Sequence, residues 1–180
     1  RRIEIIHSNL TSEANLICLR RRTCCRDRYK LLHNFFDRLI RRIDLIKGKK
    51  ILISLGGTYE PIDSVRGITN KSSGKMGLAL AKEAYIRGAD LTLVVANVSV
   101  EIPSVFNVIR VETSSEMNEV ILSLIPDFDI FISTAAVSDF EFKKKDDKKI
   151  DSNSSLFLNL KPTTKIIRQV KKINPNIFLV

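Results

Sequence analysis

From residue 50 onward, short β-branched runs alternate with stretches of helical period, and this alternation constrains the fold more than any other feature of the 180 residues. "KILISL" (50–55), "DLTLVVA" (90–96), "NVIRVE" (107–112), "DIFISTAAV" (129–137) and "NIFLV" (176–180) read as strands. Between the first two, "GKMGLALAKEAYIRGA" places Met76, Leu78, Leu80, Ala81 and Ala84 on one helical side, with Ser73 as a cap and Gly88 as a stop. "TSSEMNEVILSLIP" (113–126) reads as a capped helix ended by Pro126, and "PTTKIIRQVKKI" (162–173) as another helix. Strands spaced by helices of this length predict an α/β fold: a three-layer, Rossmann-like domain with a mostly parallel sheet. Such sheets bind ligands beyond the carboxyl ends of their strands, where the strand order reverses.

Residues 1–48 follow a different pattern. Residues 1–50 hold 14 Lys and Arg against 5 Asp and Glu, while residues 51–180 are nearly neutral, so the formal charge of +10 belongs almost wholly to the amino-terminal quarter. Residues 29–46 space Leu32, Phe35, Phe36, Leu39, Ile40 and Ile43 as an amphipathic helix, whereas 1–28 show no period. The division expected is therefore a basic segment 1–48 and an α/β domain 49–180. Ten arginines within residues 1–42 would suit phosphate contacts, but no nucleic-acid-binding motif accompanies them. The three cysteines, Cys18, Cys24 and Cys25, are a poor disulfide framework, and with only His7 and His33 as companions they suggest no metal site. No apolar run approaches the ~20 residues of a membrane span, and the start lacks a secretory signal, so a soluble, cytoplasmic protein is expected.

The stretch "GGTYEPIDSVRGITNKSSGKMG" (56–77) carries the chemistry. Gly56 and Gly57 follow the first strand, where the absence of a Cβ permits a tight turn and close approach to a ligand. Ser72, Ser73, Gly74 and Lys75 open a helix, whose unpaired amides and dipole favour an anion. Arg66 and Lys71 can add positive charge. A glycine turn and a serine-rich helix start also serve purely structural ends, but residues 56–73 far exceed the usual βα loop of ~2 to 6 residues, and long loops are mostly functional. Two familiar phosphate motifs are absent: Gly74-Lys75 is followed by Met76 rather than Ser or Thr, and no G-x-G-x-x-G follows the strand. The strand at 90–96 ends in Ala96-Asn97 with no acid to hold a dinucleotide ribose, which disfavours nicotinamide chemistry.

This stretch, together with "STAAVSDF" (133–140) and "LFLNLKPTTKII" (156–167) in the same order, resembles the phosphopantothenate-cysteine ligase family of coenzyme A biosynthesis, commonly fused behind a decarboxylase in bacteria and archaea. The resemblance runs from about residue 47 to the end, and its EPID, ITN and GKMG variants are similar to the CTP-using branch. It implies an enzyme that activates 4'-phosphopantothenate with CTP as an acyl-cytidylate and passes the acyl group to cysteine, with Mg²⁺ on the phosphates, acting as a homodimer and beside a decarboxylase. By resemblance, Gly56, Gly57, Ser72, Ser73, Gly74 and Lys75 lie along the nucleotide, and Ala135, Ala136, Asp139 and Phe140 wall its base and ribose. Asn70 and Lys149 are the implied catalytic residues, and Arg66 meets a substrate phosphate or carboxylate.

Read on their own, Asn70 could be a turn residue, Asp139 a helix cap and Arg66 a surface charge. Three departures stand against the resemblance. In "KKIDSN" Lys149 takes the first place of a Lys-x-Lys-Lys pattern but Asp151 and Ser152 take the later ones, leaving Lys148 as an alternative; the chain stops at Val180, where the family continues; and residues 1–28 match no part of a decarboxylase. An inactive or binding-only nucleotide-binding fragment is the alternative reading.

Overall fold

The computed structural model of the chain describes residues 46–143, 148–151, 153 and 155–180; the segment 1–28 and the helix read over 29–46, except for Ile46, lie outside the described residues. In chain order the elements of the unit Ile46–Val180 are β1 (Lys50–Leu55), β2 (Tyr59–Pro61), β3 (Gly67–Thr69), α1 (Lys75–Ile86), β4 (Asp90–Val95) and β5 (Asn107–Arg110). They continue with α2 (Ser114–Leu124), a 3-10 turn Ile125–Asp127, β6 (Ile130–Ser133), β7 (Phe140–Phe142), β8 (Leu160–Pro162), α3 (Ile166–Ile173) and β9 (Phe178–Leu179).

Ile51 through Leu55 of β1 are buried without a break, as befits a strand covered on both faces. β4 runs parallel on one side, with Ile51 opposite Leu91, and β6 runs parallel on the other, with Ile51 opposite Ile130. β5 and β9 complete a sheet of order β5-β4-β1-β6-β9 in which every pairing is parallel. The chain winds outward from β1 through β4 to β5, then returns across the sheet to β6 and β9. The strand order therefore reverses between β1 and β6, which puts the open crevice at their carboxyl ends.

Leu52, Val94 and Phe131 point to one face, where Met117 and Ile121 of α2, Ile166 and Val170 of α3, Ile125 and Ile177 close over them. Each such side chain stabilises the fold by roughly 1.5–3 kcal/mol on burial. The other face takes α1 through Leu78, Ala81 and Ala84. Gly77 explains how α1 comes so near β1. A Cβ there would stand 2.6 Å from Leu55 Cβ and 2.4 Å from Thr134 Oγ1, so only glycine allows this packing, despite its cost of about 1 kcal/mol against alanine in a helix.

Three sequence expectations shift. The long loop 56–73 contains the antiparallel hairpin β2–β3, whose three-residue strands show no period. The third helix begins at Ile166, not 162, because Leu160–Pro162 pairs antiparallel with Phe140–Phe142 as a second hairpin. β4 and β5 are joined through 96–106 without a helix, and Phe106 fills the space by packing edge-on against Tyr85 of α1 (centroids 5.6 Å apart, 88° between planes).

Candidate functional site at the carboxyl edge of the sheet

Three segments meet where β1 ends. The Gly57 N–H donates to Asn97 O (2.9 Å) and the Asn97 N–H donates back to Gly57 O (3.1 Å), while Ala136 N–H donates to Gly56 O (2.7 Å) and Thr58 N–H to Ala136 O (3.2 Å). A Cβ on Gly57 would lie 2.2 Å from Asn70 O, and one on Gly56, whose φ is +93°, 2.6 Å from Asn97 O. The space left by the glycine pair is thus occupied by the protein's own main chain, converging from β4, β6 and the end of β3. Thr58, fully buried, ties the same junction: its Oγ1 accepts from Ser138 N–H (2.9 Å) and its carbonyl from Thr69 Oγ1 (2.9 Å).

Asn70 emerges from this junction. Its Nδ2 donates to Ala136 O (3.1 Å), which orients the amide and brings the "ITN" and "STAAVSDF" segments together at the reversal point. The side chain is exposed at the crevice. Asp139 caps no helix: its carboxylate pairs with Lys165 Nζ at the start of α3, and its carbonyl accepts from Thr163 N–H (3.0 Å). Phe140 opens β7 with half its surface exposed.

The start of α1 differs from its expectation in one respect. Gly74, not Ser73, stands at the N-cap position with φ +74°, and Val98 Cγ1 fills the place of its missing Cβ at 2.5 Å. Ser73 Oγ receives only a long 3.4 Å contact from Lys75 N–H. No side chain caps this helix and no acid lies in its first turn, so its amides and dipole point at the crevice uncompensated.

Two charged residues lie elsewhere along the β2–β3 hairpin. The resemblance implies a substrate phosphate or carboxylate for Arg66; within the chain its Nε (2.9 Å) and Nη2 (2.6 Å) donate to Asp63. Arg66 holds the Asp63 carboxyl well below the usual carboxylate range, outweighing the opposite effect of desolvation, with help from the N–H groups of Val65, Ile150 and Arg66. Lys149 is exposed and precedes Ile150, which bonds to this pair at the hairpin turn. Asn70 lies at the hairpin's other end, about 10 Å away by the length of a three-residue strand.

Sequence reasoning missed Glu60 and Asp63, which look like ordinary turn-region acids. It also missed a cleft of about 280 Å³ lined by Tyr59, Asn97, Arg110 and Glu112 at the ends of β4 and β5. Among the described residues no three His, Cys, Asp or Glu side chains gather to hold a metal, and no helix is long and apolar enough to cross a membrane.

The doubly wound parallel sheet, with its loops gathered at one reversal point, places the chain in the Rossmann-like class of α/β proteins. Residues 46–180 match the model of the DNA/pantothenate metabolism flavoprotein C-terminal domain, and the chain belongs to that family. It is 49% identical over 148 residues to the coenzyme A biosynthesis bifunctional protein CoaBC of Thermococcus kodakarensis, a match covering 79% of this chain and 36% of that protein. The chain spans about a third of the length of the curated relatives it matches. The crystal structure of the C-terminal domain of a coenzyme A biosynthesis bifunctional protein CoaBC superposes with a TM-score of 0.66 at 33% identity, covering 74% of this chain and 63% of that one. The DNA/pantothenate metabolism flavoprotein from Streptococcus pneumoniae gives a TM-score of 0.66 at 27% identity, covering 73% and 68%.

Proposed function

We propose that this chain is the ligase part of a coenzyme A biosynthesis enzyme, joining 4'-phosphopantothenate to cysteine by way of an acyl-cytidylate made from CTP. The observation that carries the reading is the Asn70 amide, fixed by Ala136 O at the reversal point between β1 and β6 and exposed to the crevice. Family membership supports the reaction class.

In the first step a carboxylate oxygen of 4'-phosphopantothenate attacks the α-phosphorus of CTP, the bond to the β-phosphate breaks, and pyrophosphate leaves. In the second, the cysteine amine attacks the activated acyl carbon, CMP leaves, and the amine loses a proton. The protein aligns two anions and offsets the charge that develops. The Ser72–Lys75 turn and the uncapped start of α1 suit the phosphates. Asn70 keeps an N–H for an oxyanion without changing charge, Lys149 supplies a cation, and Ala135, Ala136, Asp139 and Phe140 wall the nucleoside. Mg²⁺ fits as an ion carried on the nucleotide, since Mg²⁺ sites commonly use substrate phosphates and one or two carboxylates in place of an all-protein cage.

The exposed apolar side chains of Leu156, Phe157, Leu158 and Leu160 support a homodimer, and the bifunctional relatives support a decarboxylase partner; a cytoplasmic location is part of the same proposal. Asp151 and Ser152, at positions where the resemblance has lysines, favour one alternative: a domain that binds CTP without turnover. Pyrophosphate release from the whole protein with CTP, Mg²⁺, 4'-phosphopantothenate and cysteine tests the proposal, and calorimetry with CTP separates the alternative. Full turnover by Asn70→Ala would overturn the role of that residue, and CTP binding without product would support the alternative.

A further inference from the structure

Asp63 sits in the β2–β3 turn with its side chain wholly shielded from solvent, and both its oxygens are engaged. Oδ1 accepts from the N–H groups of Val65 (2.9 Å) and Arg66 (2.8 Å), which closes the turn. The turn needs nothing more. Yet Oδ2 accepts from Arg66 Nε and Nη2 and also from the N–H of Ile150 (3.1 Å), 87 residues further along the chain. Arg66 Nη2 then donates to Ile150 O (2.8 Å). One ion pair therefore holds both main-chain polar groups of a residue that follows the lysine-rich stretch of the sequence and lies, among the described residues 148–151, outside any helix or strand. Hydrogen bonds to ionised partners are the stronger kind, and this carboxylate stays ionised throughout the neutral range.

We propose that Asp63 and Arg66 are positioning residues for Lys149: by fixing Ile150 they confine the ammonium of Lys149 to what its own side chain can reach. The inference rests on the reading of Lys149 as a catalytic lysine, and it selects Lys149 over Lys148, which stands one residue further from the anchor. Confining a reactive group in advance lowers the entropy lost on reaching the reacting geometry, and a misplacement near 1 Å can slow a reaction by about 100-fold.

The test has two arms on the whole protein. Amide hydrogen exchange should show Ile150 protected in the native protein and exposed in Asp63→Asn, whose amide presents a donor to donors. In pyrophosphate release, Asp63→Asn should lower kcat by about 100-fold while leaving KM for CTP and 4'-phosphopantothenate within about twofold. Added to Lys149→Ala, Asp63→Asn should slow the reaction by less than about twofold more, because the residue it positions is gone. Arg66→Lys, which keeps the charge but loses the fork, serves as a second variant should Asp63→Asn not fold. Unprotected Ile150 in the native protein, or equal effects of the clamp variants with and without Lys149, would overturn the proposal. If the native protein releases no pyrophosphate, the ligase reading fails, and exchange alone decides whether the pair anchors Ile150.

Discussion

The amino ends of α1 and α2 lie at the same edge of the sheet and are finished in opposite ways. At α2, Thr113 Oγ1 accepts from Glu116 N–H (3.1 Å), Glu116 reaches back to the N–H of Glu112 (2.7 Å) and Thr113, and the buried Glu60 accepts from Ser114 N–H (2.8 Å). At α1 there is a left-handed glycine, no side-chain cap, no acid in the first turn and a lysine as the first helical residue. Helix dipoles favour anions at this end, so α2 is satisfied from within the chain while α1 carries a cation against its own dipole. A locally unfavourable arrangement at the reversal point of the sheet fits the proposal that an anion from outside the chain binds there.

Glu60→Ala should have the largest effect. It removes the acceptor of a buried N–H and leaves a cavity, for a loss of about 3 kcal/mol in urea unfolding. Glu60→Gln should lose only about 1 kcal/mol, because an amide oxygen still accepts the bond but brings no charge to the dipole. Equal losses for the two would mean that shape, not the hydrogen bond, is what α2 requires.

Ser73→Asp gives α1 the finish that α2 has. A carboxylate beside the Lys75 N–H should raise thermal stability by about 0.5 kcal/mol and weaken CTP binding at least about tenfold, since it occupies the anion's place. Calorimetry with CTP reads the second effect. A stabilised variant with unchanged affinity would mean that the α1 terminus holds no phosphate. Thr113→Ala, the matching change at α2, should lose about 1 kcal/mol of stability and leave CTP binding alone.

The contrast between the two helix starts was only half legible in the sequence. Thr113 and Glu116 stand at capping-box spacing and could be read directly, as could the five sheet strands, whose apolar runs are long enough to show. Ser73 was the natural cap for α1, but the choice falls to Gly74 because Val98, 24 residues on, occupies the space a Cβ would need. Gly57 and Asn70 could be picked out as candidate site residues, whereas their contact through the Asn70 carbonyl depends on a hairpin with three-residue strands and no period. Glu60 and Asp63 differ in sequence by three places and in role entirely, one serving a helix start and the other a distant loop, and only tertiary pairing separates them.

That second carboxylate gives the smallest effect on stability to be measured as a slope, a dependence on pH that is confined to acid. Arg66 and three N–H donors hold Asp63 below the ordinary carboxylate range, so its contribution to stability is complete above the unfolded pKa, about 3.9 for Asp. As pH falls through that value the unfolded chain takes up a proton that folded Asp63 refuses, and the contribution shrinks until the folded carboxyl protonates as well. Between about pH 4 and 2, unfolding should therefore bind about one more proton in the native protein than in Asp63→Asn. Urea unfolding across the acid range reads the slopes. Parallel pH dependence for the native protein and Asp63→Asn would mean that the Asp63–Arg66 pair is not formed in solution, and the anchor on Ile150 would go with it.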